Sequence, residues 1–249
     1  MICLKKIGLL TLVVLAFLGI PAEAALSGTV INFSSLDKNQ SYALHGTIYL
    51  PENLSAPCPA VVVVHGTMGI DSRGAFYREA LLKAGIAFFE VDFKTGIYTG
   101  AANRPQNESF VPMAFAALKE LRKIPAIDPG RIGIMGFSLG GGVTVRTAIE
   151  ANRKMWLGDE QGFAAHAAFY PVCKFIVKRL EDSGNGLAKA PMIIFYGTED
   201  AYGDGTAVPE FKQLLAQKYG FEVTTVEYAG AHHGFNRLSR LLATTTPPP

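Results

Sequence analysis

Gly136-Phe137-Ser138-Leu139-Gly140 stands between an apolar run, Arg131 to Met135, and a helix-compatible stretch from Gly141 to Arg153. A chain that passes from strand to helix through a single residue has no room for side chains beside the turn. Glycines therefore flank the serine, and its hydroxyl is lifted clear of the sheet. The same turn aims the N–H of Leu139 and the helix N-terminus at whatever the hydroxyl meets, which favours a developing negative charge. This segment demands a strand–turn–helix unit and makes Ser138 the candidate nucleophile.

The rest of the chain supplies the fold that such a unit needs. Gly28 to Phe33 and Tyr42 to Leu50 alternate in polarity, as in an antiparallel pair with one solvated face. After them, Ala60 to Val64, Ile86 to Val91, Arg131 to Met135, Phe163 to Tyr170, Met192 to Tyr196 and Phe221 to Tyr228 are mostly apolar and suit a sheet covered on both faces. Helical patterns lie between them. Glu108 to Ile124 repeats apolar residues at helical spacing and stops at Pro125. Gly74 to Ala84 ends at Gly85. Val208 to Tyr219 follows Thr206 as cap, with Pro209 in its first turn and Gly220 at its end. The expectation is an α/β fold, a mostly parallel central sheet of about eight strands flanked by helices.

Lys5 and Lys6 precede an apolar run from Ile7 to Ile20, followed by Pro21-Ala22-Glu23-Ala24. That order reads as an export signal over residues 1–24, because the run is shorter than the roughly 20 residues that span a bilayer and Ala22-x-Ala24 is a small-residue cleavage pattern. The expected product is a secreted or periplasmic protein, a single domain over residues 25–243 with a tail at Thr244 to Pro249. Its formal charge falls from +2 to +1 with the loss of Lys5, Lys6 and Glu23. Such a balance gives no reason to expect nucleic acid as a partner, or stable membrane insertion after cleavage. Cys58 and Cys173 remain; one precedes a strand and the other follows one, so buried free thiols are expected rather than a bridge.

A serine hydroxyl needs a base to take its proton and a carboxylate to orient the base. In sheets of this kind both come later in the chain, from loops at the carboxyl ends of strands. Gly197-Thr198-Glu199-Asp200 follows the strand Met192 to Tyr196; Asp200 is the candidate acid, with Glu199 and Asp204 competing. Ala229-Gly230-Ala231-His232-His233-Gly234-Phe235 follows the last strand. Adjacent histidines point in different directions, so at most one is the base; His233 is the candidate and His232 its neighbour. Two adjacent histidines without a third spaced ligand do not make a metal site, and no cofactor is expected. His65-Gly66-Thr67-Met68-Gly69 follows the strand Val61 to Val64, and the N–H of Thr67 would join that of Leu139 as an oxyanion donor. His65 and Asp92 are expected to fix that loop rather than react.

Taken together, His65-Gly66-x-x-Gly69, Gly136-x-Ser138-x-Gly140-Gly141, Gly197-x-x-Asp200 and Tyr228-Ala-Gly-Ala-x-His233-Gly-Phe235 resemble the dienelactone hydrolase family of α/β-hydrolases, in the right order over nearly the whole chain after residue 24. The resemblance implies Asp200 as the acid and His233, rather than His232, as the base. Two positions depart from it: Ser138 stands where dienelactone hydrolases proper carry cysteine, and Gly66 where they carry glutamate. Serine has no resting thiolate, so the lactone substrate does not carry over. What is implied is a serine hydrolase of small carboxylic esters acting through an acyl-enzyme. A peptidase or acyl-transferase on the same scaffold is the alternative, and a non-catalytic binding protein a more distant one. The polar segment Phe93 to Asn107 is expected to form part of the pocket wall.

Overall fold

The structure, a computed structural model, describes residues 27–93, 110–183 and 186–237. The expected leader, the segment 94–107 and the tail at 244–249 lie outside the described residues. In chain order the elements are β1 (Thr29–Ser34), β2 (Ala43–Tyr49), β3 (Cys58–Val64), α1 (Ser72–Lys83), β4 (Ala87–Asp92), α2 (Phe110–Leu121), β5 (Ile127–Phe137), α3 (Leu139–Thr147), α4 (Glu150–Leu157), β6 (His166–Phe169), α5 (Lys174–Ser183), β7 (Met192–Gly197), α6 (Asp204–Tyr219) and β8 (Thr224–Tyr228). They build one eight-stranded sheet in the order β1-β2-β4-β3-β5-β6-β7-β8. β1 and β2 pair antiparallel, β2 joins β4 antiparallel, and every later pair is parallel. This is the α/β architecture that the alternating pattern called for.

Alternate residues of β3 serve opposite layers. Val62 and Val64 pack with Phe115 and Leu118 of α2, while Val63 meets Phe88, Phe137 and Phe169 under Tyr77 and Leu81 of α1. A third group joins β7 to α6, through Ile194, Phe211 and Leu215. α2 is buried on almost every side, which explains why its apolar residues exceed a single stripe.

Several boundaries differ from the sequence reading. β6 starts at His166, not Phe163, and β8 at Thr224, not Phe221, while β5 begins at Ile127. Its register shifts between the Cys58 and Ala60 pairings, so Pro129 and Gly130 bulge into solvent. The stretch Gly141 to Arg153 is two helices rather than one. Ile149 turns extended (φ −67°, ψ 121°) and bridges to Leu187, and the Ala148 carbonyl accepts the Ala188 N–H. α6 starts at Asp204 behind a left-handed Gly203 (φ 89°), so Thr206 lies within the helix and Pro209 is past its first turn. α5 has no counterpart in the sequence reading, and only the first half of α4 falls within the Gly141 to Arg153 stretch. Cys58 and Cys173 are both buried and unbridged, and burial pushes the Cys173 thiol well above its ordinary range.

One charged residue of the sheet has a consequence for stability. Glu90 of β4 lies against Gly74 of α1, where a Cβ would stand 2.8 Å from its carboxyl carbon. Burial raises the Glu90 pKa from 4.5 to about 7; the charges of Arg78 and His65 oppose the shift, and those of Asp71 and Asp92 add to it. The folded chain therefore holds a proton here that the unfolded chain releases. This contribution to stability is complete below about pH 4.5 and is lost as pH rises through 7. Glu90→Gln should flatten the decline, gaining on the order of 2 kcal/mol over wild type at pH 8. Thermal melts of both proteins from pH 5 to 8 check this; parallel curves would refute it.

Candidate active site

Ser138 directly follows β5 and caps α3 with φ 55°, a left-handed conformation that costs a non-glycine residue energy and recurs at functional turns. Its N–H donates to the Phe169 carbonyl (2.9 Å) and its carbonyl accepts the Gly142 N–H (2.9 Å). Around it the backbone is packed too closely for side chains. A Cβ on Gly140 would lie 2.7 Å from the His65 carbonyl oxygen and closer still to that of Val64, and one on Gly141 would lie 2.6 Å from the Phe169 oxygen. Gly140→Ala meets rigid backbone on β3 and is expected to lower stability by about 2 kcal/mol or more. A denaturant midpoint equal to wild type would contradict that packing.

The loops after β7 and β8 bring two further groups to this turn. His233 Nε2 is 2.8 Å from Ser138 Oγ, and His233 Nδ1 is 2.7 Å from Asp200 Oδ2. With Nδ1–H donating to the carboxylate, Nε2 is left to accept from the serine hydroxyl. The Asp200 side chain is wholly buried, and its other oxygen accepts the Tyr202 N–H at 2.8 Å. Tyr170 and Tyr202 pack against the imidazole with ring centroids 4.8 and 4.4 Å away, so the ring has little freedom to swing.

The competing residues are placed elsewhere. Glu199 is exposed, and its carbonyl accepts the Nδ1–H of the exposed His232 (2.8 Å). Asp204 is wholly buried, but its two oxygens accept the N–H groups of Val172 and Cys173, each at 2.8 Å. Burial, against those two donors, raises its pKa.

Thr67 lies in a tight turn closed by the Gly69 N–H on the Gly66 carbonyl (3.0 Å), with Gly69 left-handed at φ 91°. His65 holds the turn: Nδ1–H donates to the Gly66 carbonyl (2.7 Å) and Nε2 accepts the Phe93 N–H (3.1 Å). Asp92 stands 3.6 Å from the same Nε2. Leu139 opens α3, so its N–H is one of the helix-terminal donors that have no acceptor within the helix. Thr67, Ser138 and Tyr202 line two adjoining clefts, of about 260 and 800 Å³.

A buried polar network that the sequence reading missed ties these loops together. Arg73 grips Asp71 with Nε and Nη2, both at 2.7 Å, and donates Nη1–H to the Tyr170 hydroxyl (3.0 Å). Tyr170 donates to Asn236 Oδ1 (2.5 Å), and Asn236 Nδ2 donates to Tyr77 (3.1 Å). Asn236 lies three residues beyond His233, so the histidine loop is anchored to α1. Burial pushes the Tyr170 hydroxyl up to about 12. Burial also works to raise the Asp71 carboxyl, but the hydrogen bonds and charge of Arg73, with Arg237 3.3 Å away, hold it below the ordinary range. Only the charges of Arg73 and Asp71, close together at the start of a helix, hinted at this in the sequence.

Among the described residues no helix is long and apolar enough to cross a membrane. Residues 44–243 match the pattern of the "Dienelactone hydrolase family". "Esterase FrsA" of Vibrio vulnificus is 32% identical over 107 residues, 41% of this chain and 25% of its own length, so the chain spans about a quarter of that relative. Among solved structures, Thermogutta terrifontis esterase 2 phosphorylated by paraoxon superposes with a TM-score of 0.66 at 20% identity, covering 87% of this chain and 89% of its own. The butyrate-bound form of the same enzyme gives a TM-score of 0.64 at 21% identity, over 87% and 89%. At such identities the likeness is one of fold, that of the α/β-hydrolases.

Proposed function

The chain belongs to the dienelactone hydrolase family, and we propose that it is a serine hydrolase that cleaves small carboxylic esters through an acyl-enzyme, with Ser138 as nucleophile, His233 as base and Asp200 as orienting acid. The observation that supports this most is the unbroken relay from Ser138 Oγ to His233 Nε2 and from His233 Nδ1 to Asp200 Oδ2, at 2.8 and 2.7 Å.

In this reading Ser138 Oγ attacks the ester carbonyl carbon while its proton passes to His233 Nε2. The carbonyl oxygen becomes an oxyanion and accepts the N–H groups of Leu139 and Thr67; losing one such donor costs about 3 kcal/mol of transition-state stabilisation. Collapse breaks the bond to the alkoxide, which takes the proton from His233 and leaves as the alcohol. A water then loses a proton to His233 and attacks the acyl-enzyme, and the carboxylic acid departs as Ser138 regains its hydrogen. No step needs a cofactor.

The departure at Ser138 from the cysteine of dienelactone hydrolases proper favours an ordinary ester over a lactone. The two similar proteins described above agree with this direction: both are esterases, and one is phosphorylated by paraoxon. Turnover of p-nitrophenyl acetate by the purified protein tests the proposal. Hydrolysis no faster than in buffer alone, across short acyl esters, would end it.

A further inference from the structure

Resting on the esterase reading, the four groups around the reacting carbon assign the two clefts. The attacking oxygen comes from Ser138 and the oxyanion faces Leu139 and Thr67. The alkoxide must leave beside His233, which protonates it. His233, His232 and Gly234 line only the larger cleft, which is therefore the leaving-group side. The acyl chain is left with the smaller cleft, walled by Leu139, Pro171, Val172, Phe175 and Ile176. At about 260 Å³ it is below the roughly 300–1,000 Å³ of pockets for drug-sized ligands. Arg146, its one charged lining residue, is buried and donates from Nε to the Gly142 carbonyl at 3.3 Å.

The floor of this cleft has an unusual backbone. Tyr170 and Val172 both have positive φ, 39° and 57°, on either side of Pro171. For a β-branched valine this conformation is a steric outlier that persists only when its surroundings enforce it. Tyr170 is pinned by Arg73 and Asn236. Val172 is pinned by Asp204, whose carboxylate accepts the N–H of Val172 and that of Cys173. Asp204 lies four residues beyond Asp200, so one loop delivers the orienting acid and also grips the cleft floor.

We propose that the Leu139–Val172–Ile176 cleft is the acyl subsite, that it selects short apolar acyl chains, and that Asp204 is the positioning residue that sets this selectivity by holding Val172 left-handed. Glycine takes a positive φ without strain and removes the wall side chain. Val172→Gly therefore opens the cleft while the loop keeps its course.

The test is kcat/KM for p-nitrophenyl acetate, butyrate, hexanoate and octanoate, read as the octanoate-to-acetate ratio, which cancels any uniform loss of nucleophile competence. Val172→Gly should raise that ratio about tenfold or more. Asp204→Asn should also change it, and the change should shrink to less than about twofold in the Val172→Gly background, where no strained residue is left to hold. A wild-type chain-length profile in Val172→Gly overturns the subsite assignment whether or not Asp204→Asn folds. Equal effects of Asp204→Asn in both backgrounds overturn the link through Val172. If wild type hydrolyses acetate and Val172→Gly leaves the profile unchanged, this inference alone falls. If wild type hydrolyses none of the four esters, the esterase reading falls and takes the inference with it.

Discussion

Ser138→Ala should lower kcat for p-nitrophenyl acetate by about a million-fold, with much smaller change in KM, because the missing oxygen forms its covalent bond only after the substrate is bound. The substitution adds no bulk at a turn where bulk is forbidden, and alanine keeps the backbone N–H of residue 138 and the helix behind it. The residue also stays left-handed at φ 55°, a conformation that costs alanine about as much as serine, so the strain cancels between variant and wild type. Loss of turnover in a variant whose melting temperature is close to wild type is therefore chemical. Steady-state kinetics with melting curves on the same preparation measure both, and retention of more than a few per cent of wild-type kcat would remove Ser138 from the reaction.

Asp200→Asn should cost about ten-thousand-fold in kcat, by disturbing the imidazole rather than removing it. The carboxylate accepts Nδ1–H from His233 and so leaves Nε2 able to accept from the serine. An amide NH₂ in its place favours the opposite tautomer, with hydrogen on Nε2 and nothing to take the Ser138 proton. The neighbouring acids supply the contrast. Glu199→Gln alters an exposed side chain and should leave kcat within about twofold. Asp204→Asn should act mainly through the acyl cleft and on stability, since both Asp204 oxygens are committed to the Val172 and Cys173 amides. Rate profiles of the three variants under one set of conditions check the ranking. Equal losses at positions 200 and 204 would mean that the orienting acid has been misassigned.

The parts of the fold legible from the sequence were those where one local constraint dominates. Strands covered on both faces must be apolar, so β3, β4 and β7 announce themselves, and a serine wedged between glycines can stand only at a strand-to-helix turn. Asp200 and His233 became candidates because they follow such strands, and the family resemblance then singled them out from Glu199, Asp204 and His232. The ends of β6 and β8 were misjudged because Phe163 and Phe221 are apolar for reasons outside the sheet: they pack against neighbouring clusters beyond the last ladder bonds. α5 and the second half of α4 escaped notice for the opposite reason, both helices being short and rich in charged residues. The break at Ala148–Ile149 depends on Leu187 and Ala188, some forty residues away. Asp204 looked like an alternative acid because sequence shows a carboxylate near the right strand but not which amides surround it. Tyr170 and Asn236 carried no local signature at all; their importance arises because Tyr170 meets Arg73 and Asn236 links Tyr170 to Tyr77.

The central claim is that the Ser138 oxygen is a nucleophile activated by His233. It is tested most directly by treating the protein with paraoxon and recording intact mass and peptide maps for wild type, Ser138→Ala and His233→Ala. The account predicts one diethylphosphoryl group per wild-type chain, located on Ser138, none on Ser138→Ala, and labelling of His233→Ala slowed by orders of magnitude. Stoichiometric labelling that persists in Ser138→Ala, or that proceeds at the wild-type rate without the imidazole of His233, would contradict it.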